Sequence, residues 1–258
     1  VVAAVSEARR PLSARSVVLS TLLGSDPPVL PVGALVAVGE LFGASPGTIR
    51  TALSRMVAAG ELEADDGRYR LVGRLLDRRA AQETGRRPPA GRWDGRWWWV
   101  VVGPEGRPVA ERREFRTRLT DHRFGELRPE VWLRPANLAP PPPGSLGEGV
   151  LVGHGTVEDH DQAALAARLW DLEAWADEAR RLTDRLASDL PALRDGGDEA
   201  LGPGFELSAE VLRLLRRDPL LPDPLLPPGW PGPQLRAVYD RFDAEFRARL
   251  GAFLRARR

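Results

Sequence analysis

One stretch, residues 42–70 (FGASPGTIRTALSRMVAAGELEADDGRYR), does most to limit what this chain can become. Ser45 offers a hydroxyl to the free N–H groups of a helix start, and Pro46 follows where a missing N–H costs nothing. Ile49, Ala52, Leu53, Met56 and Val57 recur at helical spacing, so one face is buried. Gly60 stands just past the last apolar position and stops the helix. The opposite face carries Gly47, Thr48, Arg50, Thr51, Ser54 and Arg55, which are small, hydroxylated or cationic. Upstream, residues 12–23 and 32–42 read as two further helices, the first with Val18, Leu19, Leu22 and Leu23 inward. The turn Gly43-Ala44-Ser45 joins the second to the third. Downstream, residues 61–64 and 68–72 flank Asp65-Asp66-Gly67, a hairpin signal. Three helices and a hairpin predict a winged helix-turn-helix. The plainer rival is a small helical subdomain with no nucleic-acid role.

A helix face of this kind suits a DNA groove. Arg and Ser/Thr side chains read base edges or hold phosphates, and an acidic face would be repelled. The candidate DNA-binding residues are Ser45, Thr48, Arg50, Thr51, Ser54 and Arg55 on the helix, with Arg68 and Arg70 on the hairpin. The charge distribution agrees in sign. Residues 1–92 carry 13 Arg against 9 acids, whereas residues 93–160 carry 9 against 10 and residues 161–258 carry 15 against 17. The whole chain stands at only +1, so a basic nucleic-acid coat is excluded. Every one of its 37 basic residues is Arg. With abundant Ala, Gly and Pro, this reads as GC-rich codon usage rather than as selection for phosphate binding.

Cysteine is absent, which excludes disulfides, thiolate metal sites and Cys nucleophiles. No apolar run reaches transmembrane length, and residues 1–16 lack the pattern of a signal peptide, so the expected address is the cytoplasm, away from any membrane. At 258 residues the chain has room for two or three domains. Residues 73–92 run from a short helical pattern into a Pro/Gly/Arg segment, a linker that serves equally as a set of phosphate contacts. Residues 97–102 (WWWVVV) read as a strand buried on both faces. A helix over 107–121, strands at 124–127 and 131–133, the polyproline connection 140–144 and a strand at 150–155 follow. That order suggests a ferredoxin-like domain. From Asp161 the pattern is helical, with a stripe of Leu165, Leu169, Leu172, Trp175, Ala176, Ala179, Leu182 and Leu186. Helices at 207–215 and 235–254 come after it, separated by the proline-punctuated segment 217–233. The expected class is therefore α+β and helix-rich. Its domains are 1–92 (winged helix-turn-helix with linker), 93–160 (ferredoxin-like) and 161–258 (helical). Part of the two long apolar stripes is expected at a twofold interface.

Four stretches together resemble the PaaX family of bacterial transcriptional regulators, repressors of phenylacetate-degradation operons. They are ARSVVLSTLLG at 14–24, IRTALSRM at 49–56 followed by Gly60, WDGRW at 93–97, and the segment from Arg217-Asp218-Pro219-Leu220-Leu221-Pro222 through Leu225-Leu226-Pro227 to Trp230-Pro231-Gly232. The resemblance implies a homodimeric repressor with no cofactor that binds an inverted-repeat operator in double-stranded DNA. It also implies release by a small-molecule effector, an aryl-coenzyme A thioester in the founding branch. Candidate effector residues are Arg112, Arg113, Arg116 and Arg217 for its phosphates, and Trp97, Trp99 and Trp230 for an aromatic acyl group. Against that, the same arginines are as readily satisfied by neighbouring acids. The hairpin departs from the family, being acid-rich at Glu61, Glu63, Asp65 and Asp66, so Arg68 and Arg70 must carry its contacts.

The rival class is an enzyme, either a nuclease or an acyl-coenzyme A-processing protein. The middle segment is similar in architecture to the small ferredoxin-like nuclease of CRISPR systems, which places an Asp at the end of its first strand. Here Val102-Gly103-Pro104 stands there, with no carboxylate before Glu105. Neither a Walker or dinucleotide loop nor a Gly-x-Ser-x-Gly elbow is present. His154 and His160 lack helical ligand spacing, so no metal site is expected.

Overall fold

The computed structural model describes residues 12–88, 91–103, 108–158 and 161–257. They form a mixed α+β structure with two small antiparallel sheets. The chain gathers into two compact units, each assembled from segments distant in sequence. The first is Val1–Arg79, Pro191–Glu206 and Glu245–Arg258; the second is Ala80–Leu190 and Leu207–Ala244.

The first unit begins with α1 (Ala14–Gly24), β1 (Val29–Pro31), α2 (Val32–Glu40) and α3 (Pro46–Ala58). Strands β2 (Leu62–Asp65) and β3 (Arg68–Leu71) follow, and the sheet order is β1-β3-β2. Val18, Leu22, Leu35, Ile49, Leu53 and Met56 meet in one core, closed on the sheet side by Leu62 and Leu71. Burying a side chain of this size contributes about 1.5–3 kcal/mol. The hairpin turn places Asp66 and Gly67 both at positive φ, +44° and +69°, the two-residue turn that an Asp-Gly pair allows. Strand β1 pairs with β3 across the intervening α2, α3 and β2, Val29 opposite Arg70. The C-terminal segments supply further core to this unit. Phe42 meets Phe205 edge-on at 5.0 Å, and Phe205 lies 6.4 Å from Phe246. Arg249 donates to the carbonyls of Leu193 and Gly197, both at 3.1 Å.

Helix α4 (Arg74–Arg86) carries the chain from the first unit into the second. The linker expected over 73–92 is thus helical as far as Arg86. Its one buried residue, Gly85, explains why the sequence showed only a short helical pattern and not the full length of the helix.

The second unit holds β4 (Arg96–Val102), α5 (Val109–Asp121), β5 (Gly125–Arg128), β6 (Val131–Pro135) and β7 (Val150–Thr156). The strand order is β5-β6-β4-β7, antiparallel throughout. One face of this sheet (Val100, Trp132) packs with Phe115 and Leu119 of α5. The other (Trp97, Leu133) packs with Leu165, Ala166 and Leu169 of α6 (Gln162–Leu169). Complete burial of β4 does not occur. Val101 is 37 % exposed beside Leu151 of the edge strand at 63 %, because α6 covers only part of its face. Trp99 rests on Gly153, where a Cβ would come within 1.9 Å of its ring.

The long apolar stripe is divided in two. Helix α6 stops at Trp170, and Asp171 starts α7 (Leu172–Asp195) by accepting the Ala174 N–H at 3.0 Å. Helices α8 (Leu201–Arg217) and α9 (Gly232–Arg255) complete the chain. Leu165, Leu172, Ala179, Leu182, Leu186, Leu235, Tyr239, Phe242 and Phe253 are all buried within the chain itself. These stripes therefore do not supply the apolar surface expected at a twofold interface.

Candidate functional site

Local chemistry fixes the start of α3. The Ser45 hydroxyl accepts the Thr48 N–H at 3.2 Å and pairs with the Thr48 hydroxyl at 2.9 Å. At the other end Gly60, at φ +67°, lets the Glu61 N–H reach the Met56 carbonyl at 2.9 Å, closing the helix. Closeness to α2 sets its height: a Cβ on Gly39 would stand 2.5 Å from Ile49. Any larger residue at position 39 would push α3 outward.

The exposed face that results carries Thr48, Arg50, Thr51, Ser54 and Arg55. Arg50 and Arg55 have no carboxylate partner among the described residues. Ser54 donates to the Arg50 carbonyl at 3.1 Å, which holds it along the helix. On the hairpin, Arg68 is exposed, whereas Arg70 donates to Glu63 at 2.6 and 2.9 Å. Arg15 of α1 is likewise paired with Glu61. Of the eight residues singled out from sequence, Ser45, Thr48, Ser54 and Arg70 already have side-chain hydrogen bonds within the chain. The acids of the hairpin, seen in the sequence as repulsion, act partly as internal partners for arginines.

A second site lies wholly in the second unit. An open cleft of about 590 Å³ is lined by Val109, Arg112, Arg113, Arg116, Thr117 and Thr120 of α5, then Asp121, Arg216 and Arg217. The structure thus brings together Arg112, Arg113, Arg116 and Arg217, four of the seven effector candidates. Three of the five cleft arginines are committed to acids: Arg116 to Glu126 at 2.7 Å, Arg216 to Asp121 at 2.8 Å and Arg217 to Glu178 at 2.9 Å. Arg112 and Arg113 are exposed with no such partner among the described residues. Among the described residues the cleft therefore retains two guanidinium groups without a carboxylate, the chemistry of an anion site, while the Thr117 and Thr120 hydroxyls donate to the Arg113 and Arg116 carbonyls at 2.9 Å.

The three tryptophans lie elsewhere. Trp97 has no exposed surface, and its indole N–H donates to Gln162 at 2.7 Å. Trp99 covers Gly153, and Trp230 stacks on Trp175 at 4.5 Å and 15°. Among the described residues, no group of three or more His, Asp or Glu is placed to hold a metal. His154 packs on Trp98, while His160 and Glu105 fall outside the described residues.

What the sequence did not disclose is a buried polar hub near the cleft. Asp218, 1 % exposed, accepts from Arg236 at 2.6 Å and from the Leu220 N–H at 2.8 Å. Arg86 pairs with Asp240 and Asp243, both at 2.8 Å; burial lowers its pKa, and Asp243 with Asp240 raises it by more. Two further arginines are buried without a carboxylate in contact. Arg134 donates to the His122 and Ala139 carbonyls, and Arg123 donates to three carbonyls. Desolvation pulls both down to about 10, so both remain charged at neutral pH.

Comparison with known proteins now bears on this arrangement. Residues 13–77 match a family model described as PaaX-like protein, and residues 170–256 match the PaaX-like protein C-terminal domain. The chain belongs to the PaaX-like family. Three of the four motif stretches fall inside those matches, while Trp93–Trp97 lies between them. Within the family, the transcriptional repressor PaaX of Escherichia coli (strain K12) is 29 % identical over 230 residues, covering 80 % of this chain and 71 % of that protein. A solved structure, the uncharacterised protein Rv0674 from Mycobacterium tuberculosis, is similar with a TM-score of 0.67 and 37 % identity, covering 93 % of this chain and 98 % of that one. The family's segment 217–232 now has a physical reading. Asp218 anchors Arg236, Leu221 and Leu225 enter the sheet-side core, and Trp230 caps Trp175.

Proposed function

We propose that this protein is a DNA-binding transcriptional repressor whose reading head is α3. The family is one of transcriptional repressors rather than enzymes, so the nuclease and acyl-coenzyme A-processing alternatives fall away. The observation that carries the reading is the pair of exposed guanidinium groups, Arg50 and Arg55, with no carboxylate partner among the described residues, on a helix capped at both ends and seated against Gly39. We read α1–α3 with the β2–β3 hairpin as a winged helix-turn-helix, and the β5-β6-β4-β7 sheet as ferredoxin-like, with helices after it. No described helix is long and apolar enough to cross a membrane. The place of action is the cytoplasm, where the DNA is.

A homodimer would set two α3 helices in successive major grooves of an inverted repeat. Since the long stripes are buried within the chain, the contact must use another surface. The edge strand β7 is the surface we assign. It carries no charged residue, and it exposes Leu151 and Val152. Arg50→Ala and Arg55→Ala test the reading in a gel shift against the DNA upstream of the protein's own gene. Unchanged binding of specific and random DNA by both variants would sink it.

The Arg-lined cleft is the effector site in this account. Its guanidinium groups suit the phosphates of an acyl-coenzyme A, the ligand class that the family resemblance implies. Titration calorimetry with phenylacetyl-coenzyme A, phenylacetate and coenzyme A separates acyl from phosphate recognition. Absence of heat with all three, in protein that binds DNA, removes coenzyme A from the account.

A further inference from the structure

Arg123 has no part in the functions assigned so far, yet its surroundings are unusually constrained. It sits at the turn after α5 with φ +66°, a conformation that side chains other than glycine rarely adopt, and it is 5 % exposed. Its guanidinium bridges the end of α8 and the middle of α4. One nitrogen reaches the carbonyls of Arg216 and Asp218, where α8 terminates, and the other reaches the Ala81 carbonyl of α4 at 2.9 Å. Arg236 makes a parallel bridge, from the Gly85 carbonyl at 2.9 Å to Asp218. Between these bridges α4 touches α8 directly, since a Cβ on Gly85 would stand 2.3 Å from the Leu215 carbonyl oxygen. Arg216 is the meeting point. Its carbonyl holds Arg123, while its side chain lines the cleft and binds Asp121.

We propose that Arg123 is a positioning residue that transmits occupation of the cleft to α4, the helix through which the chain leaves the first unit. An anion seated against Arg112 and Arg113 competes with Asp121 for the Arg216 guanidinium. The α8 end that carries Arg216 then shifts the guanidinium holding Ala81. The anion has to bind one arrangement of α4 better than the other, and the coupling to DNA is then reciprocal. This inference rests on the effector reading of the cleft.

The test uses the full chain, sodium pyrophosphate as probe and constant ionic strength. Two quantities are read: amide hydrogen exchange along α4, and affinity for the upstream DNA. In the wild type, pyrophosphate should alter exchange in both α5 and α4 and change DNA affinity at least about fivefold. Arg123→Lys keeps the charge but loses the fork. It should bind pyrophosphate and DNA separately within about twofold of wild type while the α4 response disappears, a split that a merely structural role would not give. Arg112→Ala with Arg113→Ala should abolish the response altogether.

Asp121→Asn gives a route independent of the folding of the Arg123 variant, because it frees Arg216 without ligand. Its α4 exchange should already match the pyrophosphate-loaded wild type, and a match to the empty wild type overturns the inference. So does an equal α4 response in wild type and Arg123→Lys, an α5 response with α4 unmoved, or no pyrophosphate binding at all. A response that survives loss of Arg112 and Arg113 places the anion elsewhere and also overturns it. Wild type that fails to bind DNA counts against the repressor reading instead, and α4 exchange then decides the coupling alone.

Discussion

On α3, Arg50 and Arg55 stand in solvent with no carboxylate partner among the described residues, whereas Arg86, Arg123 and Arg236 of the second unit are enclosed and bonded to acids or carbonyls. The residue type is the same in both places, and in a chain without lysine it carries no information by itself. The partners make the difference. An arginine whose donors are used inside the molecule holds elements together. One that folding leaves unsatisfied, on a rigid element, is available to a partner.

The contrast breaks most visibly at Asp218. Replacing it by Ala leaves Arg236 enclosed without its acid, and should cost about 3–5 kcal/mol of stability in chemical denaturation. A loss below about 1 kcal/mol would mean that the hub is wetter than its geometry indicates. Arg50→Ala should do the reverse. DNA affinity should fall by about 1–3 kcal/mol while stability stays within about 0.5 kcal/mol. Were its melting temperature to drop with its affinity, the two classes of arginine would merge.

Ser45→Ala lies between the classes, since that hydroxyl serves the fold at the site itself. About 1 kcal/mol of stability should be lost, and DNA binding should weaken only as far as α3 frays. The smallest effect is expected at Glu63→Gln, which releases the exposed Arg70. Stability should change by less than about 1 kcal/mol. DNA affinity should rise, and its dependence on salt should steepen by about one phosphate contact. An unchanged salt slope would show that Arg70 does not face DNA even when free.

The first unit was legible in the sequence wherever its determinants are local. Ser45, Pro46 and Gly60 bound α3 within a residue or two, and Asp66-Gly67 encodes its own turn. Strand β1 was not legible, because three residues become a strand only by pairing with β3, some forty positions later. Of α4 only a short helical pattern was legible, since its burial is a single glycine and its fastenings come from Arg123 and Arg236. The expectation of an interface failed for a related reason. Periodicity shows that a helix face is covered, not by what, and here the cover is the chain itself. At the candidate sites, the pairing of Arg70 with Glu63 and the convergence of α5 with the end of α8 depend on register and topology, which residue pattern alone does not carry.

The contact of Gly39 with Ile49 has a practical consequence. In the proposed role of α3 as the reading helix, pose and vocabulary are separate design variables. The pose is set from beneath, by a missing side chain on α2 and a buried isoleucine. The vocabulary is written on top, at Thr48, Arg50, Thr51, Ser54 and Arg55, where the core is not touched. On that proposal, libraries confined to those five positions should stay folded while their sequence preference drifts, whereas a library that includes position 39 should lose both at once.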